Sequence, residues 1–267
     1  MMVGIPLMQL LLFGFAINSD PKHLPTAIRS ADQGPFARTL VAALRHSDYF
    51  QVVAEAGTEA ASIDAVADLP VGDSPASPGA MARAVAAVEA ETLDLPIELN
   101  EPVLSCLDLY QGRLRPWFET ALSRGQPYLP HIREVFAEEG IPQDLAYVAL
   151  VESAFKTTAY SRAKAKGVWQ FISATGKRYG LDVDWWVDER SDPEKATRAA
   201  ARYLKDLHGL FGDWNLALAG YNAGEGKVLR AIRRYKTDDF WELRKTRGLR
   251  PETKNYVPLI QAAVVLA

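Results

Sequence analysis

The sequence predicts a mainly α-helical domain over residues 93–267, preceded by a poorly ordered N-terminal extension. Three observations predict it. From Leu93 onward, aromatic and long aliphatic residues recur at helical spacing to the end of the chain. No alternating strand pattern of useful length interrupts them. Residues 54–92, by contrast, are rich in Ala, carry Gly72, Pro75, Pro78 and Gly79 among small polar residues, and hold few large apolar groups. That is the composition of a linker, not of a packed core.

The elements follow in order. Residues 36–46 form an amphipathic segment with Phe36, Leu40, Val41 and Leu44 at helical spacing. Leu129, Ile132, Val135 and Phe136 make one apolar stripe, closed by Gly140 and Pro142. Ser191-Asp192-Pro193-Glu194 has the spacing of a capping box. It opens a helix whose inner face carries Ala196, Ala199, Ala200, Tyr203, Leu204 and Leu207, stopping near Gly209 to Gly212. A further helix is expected from Trp214 to Ala223, ended by Gly224 and Gly226, and Pro251 suits the first position of another.

The chain has 267 residues and a formal net charge of -3, so no global basic field favours nucleic acid. The basic run Arg230, Arg233, Arg234 reads as a solvated helix face in preference to a binding patch. Cys106 is the single cysteine, which excludes an intramolecular disulfide, and its apolar neighbours make it a small core residue. His23, His46, His131 and His208 are scattered without metal-ligand spacing, so neither a metal nor another cofactor is expected. Val3 to Ile17 is almost wholly apolar but shorter than the roughly 20 residues that span a bilayer. It reads either as part of a membrane attachment or as a buried segment. No cysteine follows it, which excludes lipoprotein anchoring.

Chemistry concentrates in four places. Leu145 to Val151 is an unbroken apolar run, and Glu152 follows it directly. A carboxylate at the end of a buried segment is poorly solvated, its charged form is disfavoured, and its pKa rises toward the range of a general acid. The alternative is a Glu paired with a structural Arg or Lys. Gly167-Val168-Trp169-Gln170-Phe171 places one amide among apolar groups. Gln170 must find hydrogen bonds there, either to an N-acetyl group or within its own loop. Gly167 permits a turn or a close approach, and Trp169 reads as core. Ala217 to Gly226, ALAGYNAGEG, combines small residues for close helix packing with Tyr221 and Asn222. Pro251 to Pro258, PETKNYVP, completes the set with Glu252 and Tyr256.

In this order and spacing, Glu-Ser-Ala-Phe, Gly-Val-Trp-Gln-Phe, Ala-Gly-Tyr-Asn-Ala-Gly-Glu-Gly and Glu-Thr-Lys-Asn-Tyr-Val resemble the soluble-lytic-transglycosylase family. The likeness covers about residues 93–267 and includes WWVDERSDPEKAT and FGDWNLALAGYNAGEGKV. It implies a lysozyme-like fold and a catalytic acid/base at Glu152. It also implies that Ser161 lies near the cleaved sugar, that Gln170 meets the substrate amide, that Tyr221 and Asn222 form the family's Tyr-Asn pair, and that Glu252 and Tyr256 lie in the later cleft motif. The implied partner is peptidoglycan, in the periplasmic cell envelope, cleaved at the β-1,4 bond between N-acetylmuramic acid and N-acetylglucosamine with closure of a 1,6-anhydro ring. Asp182, Asp184, Asp188 and Glu189 are expected to face solvent or cap helices. The glycan-binding repeats usual after this domain are absent, and the end inside LIQAAVVLA suggests a truncated C-terminus. A hydrolase on the same fold and a non-enzymatic wall-binding protein are the rivals.

Residues 14–50 resemble something different, the start of the extracytoplasmic region of ABC-2-type transporter permeases. No further membrane helix follows, so a transport function has nothing to work with. The expected organisation is therefore 1–53 as an apolar segment with this permease-like fragment, 54–92 as linker, and 93–267 as the transglycosylase-like domain.

Overall fold

A computed structural model describes residues 24–29, 50–56 and 93–267. The expected helix at 36–46, the apolar segment 3–17 and residues 57–92 of the expected linker lie outside the described residues. The chain divides into two units, residues 1–61 and 62–267. In the first, β1 (Leu24–Arg29) pairs in parallel with β2 (Phe50–Ala56), with a register shift between Thr26 and Ala27. The sequence had suggested no strand there, and β2 runs three residues into the stretch read as linker.

Residues 93–267 form a mainly α, lysozyme-like domain with only isolated β-bridges among loops. The helices are α1 (Glu101–Gln111), α2 (Arg115–Gly125), α3 (Leu129–Glu139), α4 (Val148–Ser153), α5 (Ser173–Arg178), α6 (Pro193–Phe211), α7 (Trp214–Ala223), α8 (Glu225–Tyr235), α9 (Phe240–Lys245) and α10 (Pro251–Leu266). Proline opens several of them, where a missing N–H costs nothing. The expected stripe on α3 is buried in full, and Gly140 ends it at φ 70°. The run before Glu152 is not one helix. A 3-10 turn, Gln143–Tyr147, leads into the short α4, with the whole stretch from Leu145 to Val151 buried.

α6 starts one residue later than its capping-box spacing suggested. Asp192, not Ser191, is the cap, its carboxylate accepting from the Glu194 and Lys195 N–H groups, and Ser191 belongs to a preceding 3-10 turn. Asp competes well with Ser at this position because its charge also meets the helix dipole. α7 spans Trp214–Ala223 as expected, and Gly224 at φ 88° ends it, whereas Gly226 lies inside α8. α6 and α7 approach closely at Gly220, where a Cβ would sit 2.8 Å from a Phe211 ring carbon.

The core lies between α10, α1, α7 and the α4 segment. α10 is buried around almost its whole circumference, from Tyr256 to Val265. Pro258 sits inside it and removes the helical donor that Lys254 O would accept. The Arg244 guanidinium supplies that bond instead, Nε donating to Lys254 O at 3.0 Å. A buried amide pair ties the helices in register. Gln261 Nε2 donates to Asn215 Oδ1 at 2.7 Å, and Asn215 Nδ2 donates to Glu98 Oε1 at 2.9 Å. Cys106 is fully buried and its thiol pKa is pushed far up by that burial, as a core residue's should be.

Candidate active site

Glu152 stands in the last turn of α4, where the buried run reaches the surface. Its carboxyl is enclosed while the residue keeps a partly exposed edge. Among the described residues no cation bonds to it. Tyr256, from α10, donates its O–H to Glu152 Oε1 at 2.5 Å. Burial drives the Glu152 pKa up to about 7; the Tyr256 bond opposes that rise, and the nearby Glu252 charge adds to it. The Tyr221 and Tyr256 hydroxyls are themselves held above the ordinary tyrosine range, by burial first and then by the proximity of Glu152.

The backbone after Glu152 is strained. Ala154 and Phe155 have φ of 52° and 58°, and Lys164 and Gln170 have 61° and 49°. Left-handed backbone costs a non-glycine residue roughly 1–2 kcal/mol, so such a group persists only where its surroundings enforce it. Those surroundings are visible. Arg124 Nη1 donates to Ala154 O at 2.7 Å. Ser153 Oγ donates to Val168 O at 2.8 Å and so hangs the 159–171 loop on the end of α4. Gly167, at φ 82°, lies so close to the Arg190 carbonyl that a Cβ would fall 1.7 Å from its oxygen. The close approach expected at this glycine is therefore to backbone.

That loop carries two of the sequence-predicted residues. Ser161 Oγ accepts from Ala165 N at 3.1 Å, and Gln170 Nε2 donates to Gly167 O at 2.8 Å and Ala159 O at 3.3 Å. Of the two readings of Gln170, its amide nitrogen follows the loop-tying one. Trp169 is fully buried, its indole N–H donating to Thr197 Oγ1 at 3.0 Å, which is the core role expected of it. Tyr221 Oη donates to Trp169 O at 2.8 Å and fixes α7 against the same loop. Asn222 Oδ1 accepts from Thr253 Oγ1 at 2.8 Å, and its Nδ2 donates to Glu252 Oε1 at 3.4 Å. Glu152, Tyr221, Glu252 and Tyr256 are thus brought together, Asn222 joins through Glu252, and Ser161 and Gln170 lie on the loop tied to the Glu152 helix.

Sequence reasoning missed several supports. Tyr203 packs its ring 5.1 Å from Tyr221 and 4.9 Å from Tyr179, forming an aromatic wall behind α7. Its helical spacing marked it as core, and nothing in one sequence paired it with Tyr221. Asp188 was read as solvent-facing or capping, and it is neither alone. Its carboxylate accepts from Arg190 Nε and Nη2, both at 2.8 Å, and from Lys166 Nζ at 3.0 Å, and these bonds, led by Arg190, hold its pKa well below the usual range. Arg190 is buried and also donates to Lys164 O and Phe171 O, so this ion cluster clamps the far side of the 159–171 loop. The Ser-Asp-Pro-Glu signal nearby drew attention to the helix start and away from this role.

Residues 132–244, within the helical unit, match the Transglycosylase SLT domain. Among curated proteins, membrane-bound lytic murein transglycosylase D of Escherichia coli (strain K12) is 39% identical over 155 residues, 56% of this chain and 33% of that protein. Membrane-bound lytic murein transglycosylase F 2 of Alkalilimnicola ehrlichii is 31% identical over 147 residues, 50% of this chain and 31% of that protein. Peptidoglycan transglycosylase gp16 of Escherichia phage T7 is 45% identical over 92 residues, 33% of this chain and 7% of that protein. The chain thus spans a third or less of the length of these relatives.

Proposed function

We propose that this domain is a lytic transglycosylase, cleaving the β-1,4 bond between N-acetylmuramic acid and N-acetylglucosamine in peptidoglycan, with Glu152 as acid and then base. The observation that carries the reading is the state of Glu152: an enclosed carboxyl, without a cation, bonded to Tyr256 and raised to about 7. A group that must first give a proton and then take one works best when its pKa lies near the operating pH. Burial alone would favour only the acid form, and the Tyr256 hydroxyl, by donating to the carboxylate, keeps the base form within reach.

In this mechanism protonated Glu152 gives its proton to the glycosidic oxygen. The N-acetyl carbonyl of the muramic sugar stabilises the cationic centre. Glu152, now a carboxylate, takes the proton of the sugar's 6-hydroxyl, and that oxygen closes the 1,6-anhydro ring without water. Ordinary glycosidases divide such work between two carboxylates. Here Glu252 is the other acid whose charge reaches Glu152, and it is exposed and bonded to Asn222. It suits orienting the sugar together with Asn222 and raising the proton affinity of Glu152. Ser161, Gln170 and Tyr221 are assigned to the substrate side of the cleft. The relatives' names place those proteins at the membrane and on murein, and the same envelope location is proposed here, with attachment through residues 3–17. Among the described residues no helix is long and apolar enough to cross a membrane.

Digestion of purified peptidoglycan with the full chain, followed by mass spectrometry of the fragments, tests the reading. Fragments ending in 1,6-anhydro sugars are expected. Fragments heavier by one water, with free reducing ends, would mean hydrolysis on the same site.

A further inference from the structure

A second groove opens beside the cleft. It has a volume of about 650 Å³ and lies between α8, the segment 247–250 and the first turn of α10. Lys227, Arg230, Arg233, Arg234, Arg247 and Arg250 line it, with Glu252 as the one acidic residue of its wall. The basic run on α8 is solvent-exposed, as its sequence suggested, but the fold adds Arg247 and Arg250 to it from the segment 247–250. Elsewhere in the domain cations find carboxylates: Arg198 with Glu138, Arg202 and Lys205 with Glu139, Lys195 with Glu189. Among the described residues no carboxylate pairs with any of the groove's six cations, although the chain as a whole is acidic. Arg234 lies 5.5 Å over the Tyr235 ring. Like charges gathered in a concave surface without counter-ions repel one another, and they focus a field that draws in an anion.

The groove shares Asn222 and Glu252 with the candidate site. Asn222, Glu252 and Thr253 belong to its wall, and Asn222 is hydrogen-bonded to each of the other two. Glu252 stands one helical turn before Tyr256, whose hydroxyl meets Glu152. An anionic group seated among the arginines would therefore branch from the sugar beside the scissile bond. The glycan backbone has little need of six cations, whereas the peptide stems on its muramic sugars end in and carry free carboxylates. We propose that this groove binds the acidic peptide stem of the substrate, bidentate arginine–carboxylate pairs holding the stem while Glu152 acts on the sugar. This rests on the peptidoglycan reading of the cleft.

The test uses the full chain, the variant R233Q/R247Q and the charge-keeping variant R233K/R247K, each checked for an unchanged thermal transition. The substrates are soluble glycan strands with their stems and the same strands stripped by an amidase. R233Q/R247Q is expected to raise KM about tenfold on stem-bearing strands, as loss of two partly exposed charge pairs implies. Its kcat should stay within about twofold, and its kinetics on stripped strands should be unaltered. R233K/R247K should recover only part of the lost KM, since lysine keeps the charge but not the paired donors, and the preference for stem-bearing strands should fall with added salt. Equal KM changes on both substrates, or none, would overturn the groove. Direct titration separates this from a failure of the cleft reading. If the chain cuts neither substrate, free stem tetrapeptide should still bind wild type more tightly than R233Q/R247Q, and equal binding would sink the proposal. Tighter binding of a phosphate polymer or of DNA than of the tetrapeptide would overturn the choice of occupant.

Discussion

Two carboxylates flank the 159–171 loop, and the sequence places both beside apolar or loop-forming residues, yet the fold treats them in opposite ways. Asp188 receives Arg190 and Lys166 and is held ionised far below its ordinary range, with the Arg190 bonds the main cause. Among the described residues Glu152 receives a single hydroxyl, no cation, and a buried setting, and its pKa moves the other way, to about 7. The difference teaches how a structural acid differs from one proposed here for chemistry. A carboxylate that must hold a loop is given counter-ions that fix its charge. One that must trade a proton is denied them, and it keeps two accessible states near neutral pH.

Replacing Glu152 breaks the comparison most directly. Glu152→Gln keeps the size and an acceptor for Tyr256 but has no proton to trade. Loss of general acid–base help typically costs about 10²–10⁴-fold in rate, and a group used twice should sit at the high end. The same change should stabilise the fold in base. Because the folded pKa is raised, the penalty for ionising Glu152 is absent below its unfolded value of about 4.5 and grows as pH rises to about 7. The variant should therefore gain up to about 3 kcal/mol over wild type at pH 8 and almost nothing at pH 4. Urea unfolding at the two pH values checks this, and an unchanged digestion rate would remove Glu152 from the site.

Asp188→Asn tests the other half. It leaves the buried Arg190 without its carboxylate, and breaking a buried pair in this way costs about 3–5 kcal/mol. The contribution of a depressed carboxylate is present above its unfolded pKa and is lost as pH falls below it. The stability gap between variant and wild type should therefore be full at pH 7 and narrow below about pH 4. Activity of the fraction still folded, measured well below its melting point, should fall far less than for Glu152→Gln. An equal loss of kcat with no loss of stability would show that Asp188 acts in the chemistry.

Tyr256→Phe sharpens the contrast by making Glu152 lonelier still. Hydrogen bonds to charged groups are worth about 1.5–3 kcal/mol, so the Glu152 pKa should climb by about one to two units. The protonated form that starts the reaction then predominates at pH 7, and the alkaline limb of the kcat profile should move up by the same interval, while the carboxylate formed after proton transfer, now without its hydroxyl donor, should lower the plateau rate about tenfold. A smaller rate with an unmoved limb would make Tyr256 a packing residue only.

How much of this was legible in the sequence divides along physical lines. Helices whose signals are local were readable: the α3 stripe, the Trp214–Ala223 span of α7, and the proline that opens α10. The desolvation of Glu152 was also readable, because seven consecutive apolar residues precede it in the chain. What could not be read depends on partners far apart in sequence. Tyr256 reaches Glu152 across 104 positions, and Asp188 meets Lys166 across 22. Gly167 signalled a close approach, but only the fold shows that Arg190 makes it. The short strands β1 and β2 fell in stretches whose small and polar residues hide a period of two.

The smallest effects belong to the acids that the comparison leaves aside. Asp184 accepts from Trp186 N and Val187 N, and these bonds hold its pKa below the ordinary range and shape a surface turn that leaves Trp185 and Trp186 almost fully exposed. Glu189 pairs with Lys195 and accepts from Asp182 N. Both use their charge locally, Asp184 in an exposed turn and Glu189 beneath the exposed Lys195, and neither carboxylate is bonded to Arg190. Asp184→Asn and Glu189→Gln should each change kcat/KM on peptidoglycan by less than about twofold, as surface substitutions away from buried networks do. The amide side chains still offer a carbonyl to the backbone N–H groups, so the turns persist. A loss of more than about tenfold for either, with the thermal transition unchanged, would mean that a second carboxylate shares the chemistry. The one-acid mechanism would then give way to a two-carboxylate hydrolysis, which the fragment masses would report independently.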